Sequence, residues 1–177
     1  MPDDTDREIL ERFVRGDEDA FESLFRQFER DVYTWILRIV RDVGAAEDAV
    51  VETFWRAYRG RARFDPSRNL GPWLRRIATN TALDYLKAAQ RHPQPLDRDV
   101  AEPATAPASD GLAESIHRAF GKLSPKLQVV ATLALVEGHS YAEIADALGV
   151  PVGTVKSRVF RATNALQAEL ARLGIRL

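Results

Sequence analysis

Apolar residues recur every three or four positions in successive blocks along the chain, and each block predicts a helix. Thr5 or Asp6 can cap a first helix with the stripe Ile9, Leu10, Phe13 and Val14, closed by Gly16. From Asp17 a longer block carries Phe21, Leu24, Phe25, Phe28, Val32, Ile36, Leu37 and Val40, stopping near Asp42-Val43-Gly44. A third runs from Ala45 to Arg59 and offers Ala46, Ala49, Val50, Thr53, Phe54, Ala57 and Tyr58 for burial. A fourth, from Pro72 to Arg91, has the inner stripe Leu74, Ile77, Ala78, Thr81 and Tyr85. Then periodicity fails. Pro93, Pro95, Pro103 and Pro107 punctuate an acidic stretch that grades into small polar residues, which predicts a linker over 93–111. Nearly twenty residues at roughly 3.1 Å each span about 60 Å if extended.

The periodicity resumes with Leu112, Ile116, Ala119, Phe120 and Leu123. Ser124-Pro125 then caps and starts a helix with Leu127, Val130, Leu133 and Ala134, ending at Gly138. Ser140 and Glu143 form a capping box for the next helix, whose stripe is Tyr141, Ile144, Ala145 and Leu148. Gly149 supplies a left-handed residue to end it, and Pro151 suits the start of another. In that last helix Val152, Val155, Val159, Ala162 and Leu166 share one side. Gly153, Ser157, Phe160, Arg161 and Asn164 share the other, flanked by Thr154 and Lys156. The expected fold is all-α: an N-terminal helical bundle over 1–92, a linker, and a C-terminal four-helix domain over 112–177 containing a helix-turn-helix.

The polar faces carry the candidate chemistry. An outward Phe160 breaks the apolar-in, polar-out rule, and contact with a thymine methyl in the major groove explains it; packing on a neighbouring helix is the alternative. Arg161, Lys156 and Ser157 reach base edges or phosphates from the same side. On the third helix Glu47, Asp48, Val51, Glu52 and Trp55 mix acid, valine and tryptophan, which suits a protein-binding surface, unless Trp55 folds back onto its own domain. The segment from Gly60 to Pro72 alternates Arg61, Arg63 and Arg68 with Phe64, as a single strand needs cations for phosphates and a flat apolar surface for bases. Arg76, Asn80, Lys87 and Arg91 continue that surface, with Asp84 among them; an Asp84 to Lys87 pair on an ordinary surface helix is the alternative.

Composition narrows these options. A net charge of -1 over 177 residues gives no global basic field, so any DNA surface is local. The absence of cysteine removes disulfides, thiolate metal sites and thiol catalysis. His92, His117 and His139 show no metal-like spacing and no partnered nucleophile, so neither a catalytic residue nor a metal or cofactor is expected. The acidic start is no signal peptide, and no apolar run approaches the roughly 20 residues of a membrane span, so a cytoplasmic protein is expected.

Four fragments stand in a telling order: Gly16-Asp17-Glu18-Asp19-Ala20-Phe21, then Ala46 to Phe54, then Trp73 to Asn80 with Asp84, then Ser140 to Arg161. With the linker between the third and fourth, the chain resembles bacterial sigma factors of the extracytoplasmic-function group over nearly its whole length. The resemblance implies a non-enzymatic partner of RNA polymerase core. Asp48, Val51, Glu52 and Trp55 would lie on the helix that grips the polymerase clamp. The loop with Arg61, Arg63, Phe64, Arg68 and Asn69, together with Arg76, Asn80 and Lys87, would take the melted strand of the minus-ten element, with one base flipped into a loop pocket. Thr154, Lys156, Ser157, Phe160 and Arg161 would read the minus-thirty-five element while the outer surface of that domain touches the polymerase flap. An anti-sigma factor is the expected regulator. The family usually has glutamine where this chain has Val51, and arginine is common near Lys87. A stand-alone helix-turn-helix regulator with a helical sensor domain is the competing reading, and a helical adaptor without nucleic acid is another.

Overall fold

A computed structural model describes residues 5–91 and 110–175, with side chains of the second span described from Leu112. The expected linker lies almost wholly outside these residues. The chain divides into two units, Met1–Val100 and Ala101–Leu177.

In the first unit α1 (Arg7–Val14) is short, α2 (Glu18–Val40) is the central rod, and α3 (Val43–Gly60) and α4 (Leu70–Arg91) pack on α2 and on each other. Phe28, Val32 and Ile36 of α2 are fully buried, as their spacing of four residues demands once helices cover that side. The core also takes in residues the apolar stripes leave out. Trp35 is buried and donates its indole N–H to Thr79 Oγ1 at 2.9 Å, so its polar edge is satisfied inside the bundle. On α4 the buried face is wider than expected and includes Leu70, Ala82, Leu83 and Leu86, while Ile77 and Tyr85 sit at its margin. The α2–α3 turn is tighter than the sequence suggests. Arg41, at φ 55, closes α2, and Asp42 accepts the Ala45 N–H at 2.7 Å to cap α3, so Gly44 lies inside the helix rather than in the break.

The turn between α1 and α2 is a Schellman motif. Gly16 takes φ 88, its N–H donates to Phe13 O, and the Asp17 N–H donates to Arg12 O. Asp17 then caps α2 by accepting the Ala20 N–H at 2.9 Å, and the same carboxylate receives two bonds from the Arg12 guanidinium at 3.0 and 3.1 Å. Those bonds from Arg12, followed by the Ala20 amide, hold the Asp17 carboxyl below its ordinary range. A carboxyl lowered on folding stabilises the fold fully above its unfolded value, about pH 4, and that stabilisation is lost as pH falls through the depressed folded value. Asp17→Asn, which keeps a capping oxygen but no charge, is therefore expected to flatten the decline of the thermal midpoint below about pH 4. An unchanged acid limb would remove Asp17 from it.

In the second unit α5 (Asp110–Gly121), α6 (Pro125–Ala131), a π-helical turn over Thr132–Val136, α7 (Tyr141–Leu148) and α8 (Val152–Arg172) follow in order. Helices α5, α6 and α7 all pack on α8. Ala119, Leu123, Ala131, Ala162, Leu166 and Leu170 form one cluster between α5, α6 and α8. Four expected core positions differ. Leu112 and Ile116 are exposed, because α5 turns Ser115 and Ala119 inward instead, with Leu123 buried just beyond its end. Tyr141 and Val152, each in the first turn of its helix, are also exposed. The π turn, in which Glu137 N–H reaches back to Thr132 O at 3.0 Å, shifts the register and leaves Leu135 and Val136 outside.

Candidate nucleic-acid interface

The helix-turn-helix is closed at both ends by the expected devices. Ser140 Oγ accepts the Glu143 N–H at 3.2 Å and the Glu143 carboxylate accepts the Ser140 N–H at 2.8 Å. Gly149, at φ 63, ends α7, with Val150 N–H bonded to Ala145 O at 3.0 Å. Pro151 occupies the cap of α8, whose own first residue is Val152. This clamps the two helices about a three-residue turn and leaves one face of α8 open. Val155, Val159 and Ala162 point inward, while Lys156, Ser157, Phe160 and Arg161 are exposed and Thr154 is half-buried. Phe160 is 67% exposed, so it does not pack on a neighbouring helix within its unit. Arg161 Nε donates to Ser157 O at 3.3 Å, which lays its side chain along the same face.

In the first unit α3 presents Asp48, Val51 and Trp55 exposed along one face, with Glu52 half-buried among them and paired with Arg56. Val51 is 66% and Trp55 54% exposed. The Trp55 ring leans along the helix onto Tyr58, stacked at 6.3 Å, and keeps its outer face free of the core. Tyr58 also meets Phe21 at 5.0 Å, and Phe21 belongs to an aromatic cluster with Phe13 and Phe54.

The arginine loop divides into outward and inward groups. Arg63 and Arg68 are exposed, Arg68 making a loose 3.5 Å pair with Asp65. Arg61 is different. Its guanidinium lies 4.2 Å over the Tyr58 ring, donates to Tyr58 O at 2.8 Å, and fills the space beside Gly16, where an added Cβ would come within 2.8 Å of Nη2. Phe64 departs furthest from the expectation of an exposed stacking surface. It is buried, with its ring 5.0 Å from that of Trp73 on α4, because an aromatic this size is better covered by α4 than left between hydrated arginines. Arg61 and Phe64 thus anchor the two ends of the Arg61–Arg63 turn. Asn69 caps α4, its side-chain oxygen accepting the Gly71 N–H at 2.8 Å. A cleft of about 190 Å³ opens beside the loop, lined among others by Arg7, Leu10, Ser67 and Arg68.

On α4, Arg76 and Asn80 are exposed, and Lys87 is half-buried and paired with Asp84 at 2.9 Å. Asp84 in turn accepts from Arg56 at 2.9 Å, and Arg56 donates to Glu52 at 2.7 Å. Burial pushes the Asp84 carboxyl up, but the bonds from Arg56 and Lys87 outweigh it and hold the group below its ordinary range. Glu52, chiefly, and Asp84 raise the Arg56 guanidinium correspondingly. Arg56 is the member of this row that sequence reasoning missed; only its spacing of four from Glu52 was visible there.

Two family profiles match the chain: Sigma-70 region 2 over residues 24–92 and the Sigma-70 region 4 profile over 113–166. The RNA polymerase sigma-H factor of Pseudomonas aeruginosa is 33% identical across 98% of this chain and 97% of its own length. The ECF RNA polymerase sigma-E factor of Escherichia coli is 33% identical across 96% of each. Among solved structures, the sigma factor RpoE in complex with the anti-sigma factor NepR, from Bartonella quintana, matches with a TM-score of 0.56 at 28% identity, over 85% of this chain and 96% of that one. A stand-alone regulator is not favoured by a match that spans both regions. With its two exposed faces and likeness along nearly the full length of these relatives, the chain belongs to the extracytoplasmic-function group of sigma factors, promoter-recognising transcription initiation factors rather than enzymes.

Proposed function

We propose that the stripe Asp48, Val51, Glu52 and Trp55 is the surface by which this sigma factor binds the clamp of RNA polymerase core, with residues 1–92 forming the polymerase and minus-ten domain. The observation that carries this is the pairing of Val51 and Trp55, two large apolar side chains left exposed between acids on one helix face. An interface centre of that make-up, with Trp as anchor, is where binding energy concentrates. Arg63, Arg68, Asn69, Arg76, Asn80 and Lys87 take the melted minus-ten strand, and the cleft beside Ser67 and Arg68 has room for one base turned out of the stack. Arg61 and Phe64 serve the same strand indirectly, by holding the loop.

Residues 112–177 read the minus-thirty-five duplex through Thr154, Lys156, Ser157, Phe160 and Arg161 of α8, while their outer surface meets the polymerase flap. A factor that acts with RNA polymerase core works in the cytoplasm. No helix among the described residues is long and apolar enough to cross a membrane. Likeness to RpoE bound to NepR supports control by an anti-sigma factor.

Run-off transcription with purified core polymerase on a promoter library tests the reading: initiation at a defined upstream sequence is expected only when chain and core are both present. A tight mobility shift by the chain alone would favour the stand-alone regulator instead. Within that assay Arg161→Ala is expected to reduce discrimination between matched and scrambled upstream elements by about 1–3 kcal/mol and to leave core binding intact. Equal weakening on both sequences would reassign Arg161 to a backbone contact.

A further inference from the structure

The row Glu52, Arg56, Asp84, Lys87 crosses from α3 to α4 with alternating charge and contacts of 2.7, 2.9 and 2.9 Å. Its first member belongs to the polymerase-facing stripe and its last to the strand-facing one. All four side chains are roughly two-fifths exposed, so the pairs can be exchanged rather than being locked in the core. Arg56 holds two carboxylates at once, and Asp84 holds two cations. Each group therefore divides its attraction between its neighbours, and a change at one end redistributes along the row.

We propose that Arg56 is a positioning residue that couples polymerase binding at Glu52 to strand binding at Lys87. This rests on the assignments of Glu52 and Lys87 above. When a basic group of the polymerase takes Glu52, the Arg56 guanidinium turns fully to Asp84. Asp84 then holds Lys87 less strongly, and the ammonium is released to a phosphate. In the free chain Glu52 competes for Arg56, so Asp84 keeps Lys87 and strand affinity is low. Because such linkage is reciprocal, bound strand strengthens the hold on polymerase by the same factor.

The coupling has a signature that loosening of the fold does not share. Glu52→Gln removes an acid from the polymerase face and yet is expected to tighten binding of the free, full-length chain to a single strand, by about two- to fivefold, the scale of an exposed ion pair. The measurement is fluorescence anisotropy at low salt with labelled single strands of random sequence, about ten nucleotides long. Glu47→Gln, which makes the same charge change on an exposed α3 residue outside the row, should have a smaller effect. In a Lys87→Ala background the gain from Glu52→Gln should vanish. Equal gains from Glu47→Gln and Glu52→Gln, no gain, or a gain that survives Lys87→Ala would each overturn the coupling. If Lys87→Ala alone leaves strand affinity unchanged, the assignment of Lys87 fails and the coupling fails with it. Arg56→Met is expected to weaken strand binding more than twofold, since Asp84 is then left to Lys87 alone.

Discussion

Trp55→Ala is expected to weaken binding to core polymerase by about 2–4 kcal/mol, roughly 30- to 1,000-fold, with little change in the unfolding midpoint. Both halves of that expectation come from how the ring sits. It is more than half exposed and rests on Tyr58 only along its inner face. Removing it takes little from the core, because Tyr58 stays packed on Phe21 and Arg61. It takes most of the apolar area from the α3 stripe, where Val51 alone remains between Asp48 and Glu52. Affinity measured by competition with a labelled sigma factor, alongside thermal unfolding, separates the two effects. A midpoint that drops as far as the affinity would show that the ring belongs to the fold and not to an interface.

The second large effect falls on Phe64. Phe64→Ala removes a ring that is 6% exposed and should destabilise the first unit by about 3–5 kcal/mol, the usual range for a buried aromatic cut back to its β-carbon. The loop that follows the Arg61–Arg63 turn loses its hold on Trp73, so promoter opening should fail together with stability. Phe64→Leu distinguishes an anchor from a stacking surface. Leucine refills most of the space and should restore both stability and initiation to within about 1.5 kcal/mol of the parent. A base-stacking ring would lose strand binding equally in the leucine and alanine variants, while stability recovered only in leucine.

Phe64 also shows where periodicity stops informing. It sits in sequence between Arg63 and Asp65, and its partner Trp73 lies nine positions on, across a loop with no repeat to count. Nothing local distinguishes a ring held between cations for nucleic acid from one folded away beneath them. Arg61 posed the same problem, since the space its guanidinium fills is beside Gly16, in a segment far from it in the chain. Where the determinants are local, the sequence was sufficient. Ser140 with Glu143 and Gly149 after Leu148 each act within a few residues, and each makes the expected hydrogen bonds. The outward Phe160 was legible for the same reason, because a helix of known start fixes the direction of every later side chain. Positions such as Leu112 and Ile116 were not, since an amphipathic stripe shows that a face is apolar without showing whether a neighbour covers it.

The space beside Gly16 bears on how such proteins can be recombined. Residue 16 has no side chain, and the Arg61 guanidinium occupies the room this leaves, backed by the Tyr58 ring. A chimera that grafts a relative's strand-binding loop into this scaffold to change its target sequence must therefore carry a compatible trio at 16, 58 and 61. Grafts cut only at the visible borders of the loop would inherit a wedge or a void at its base.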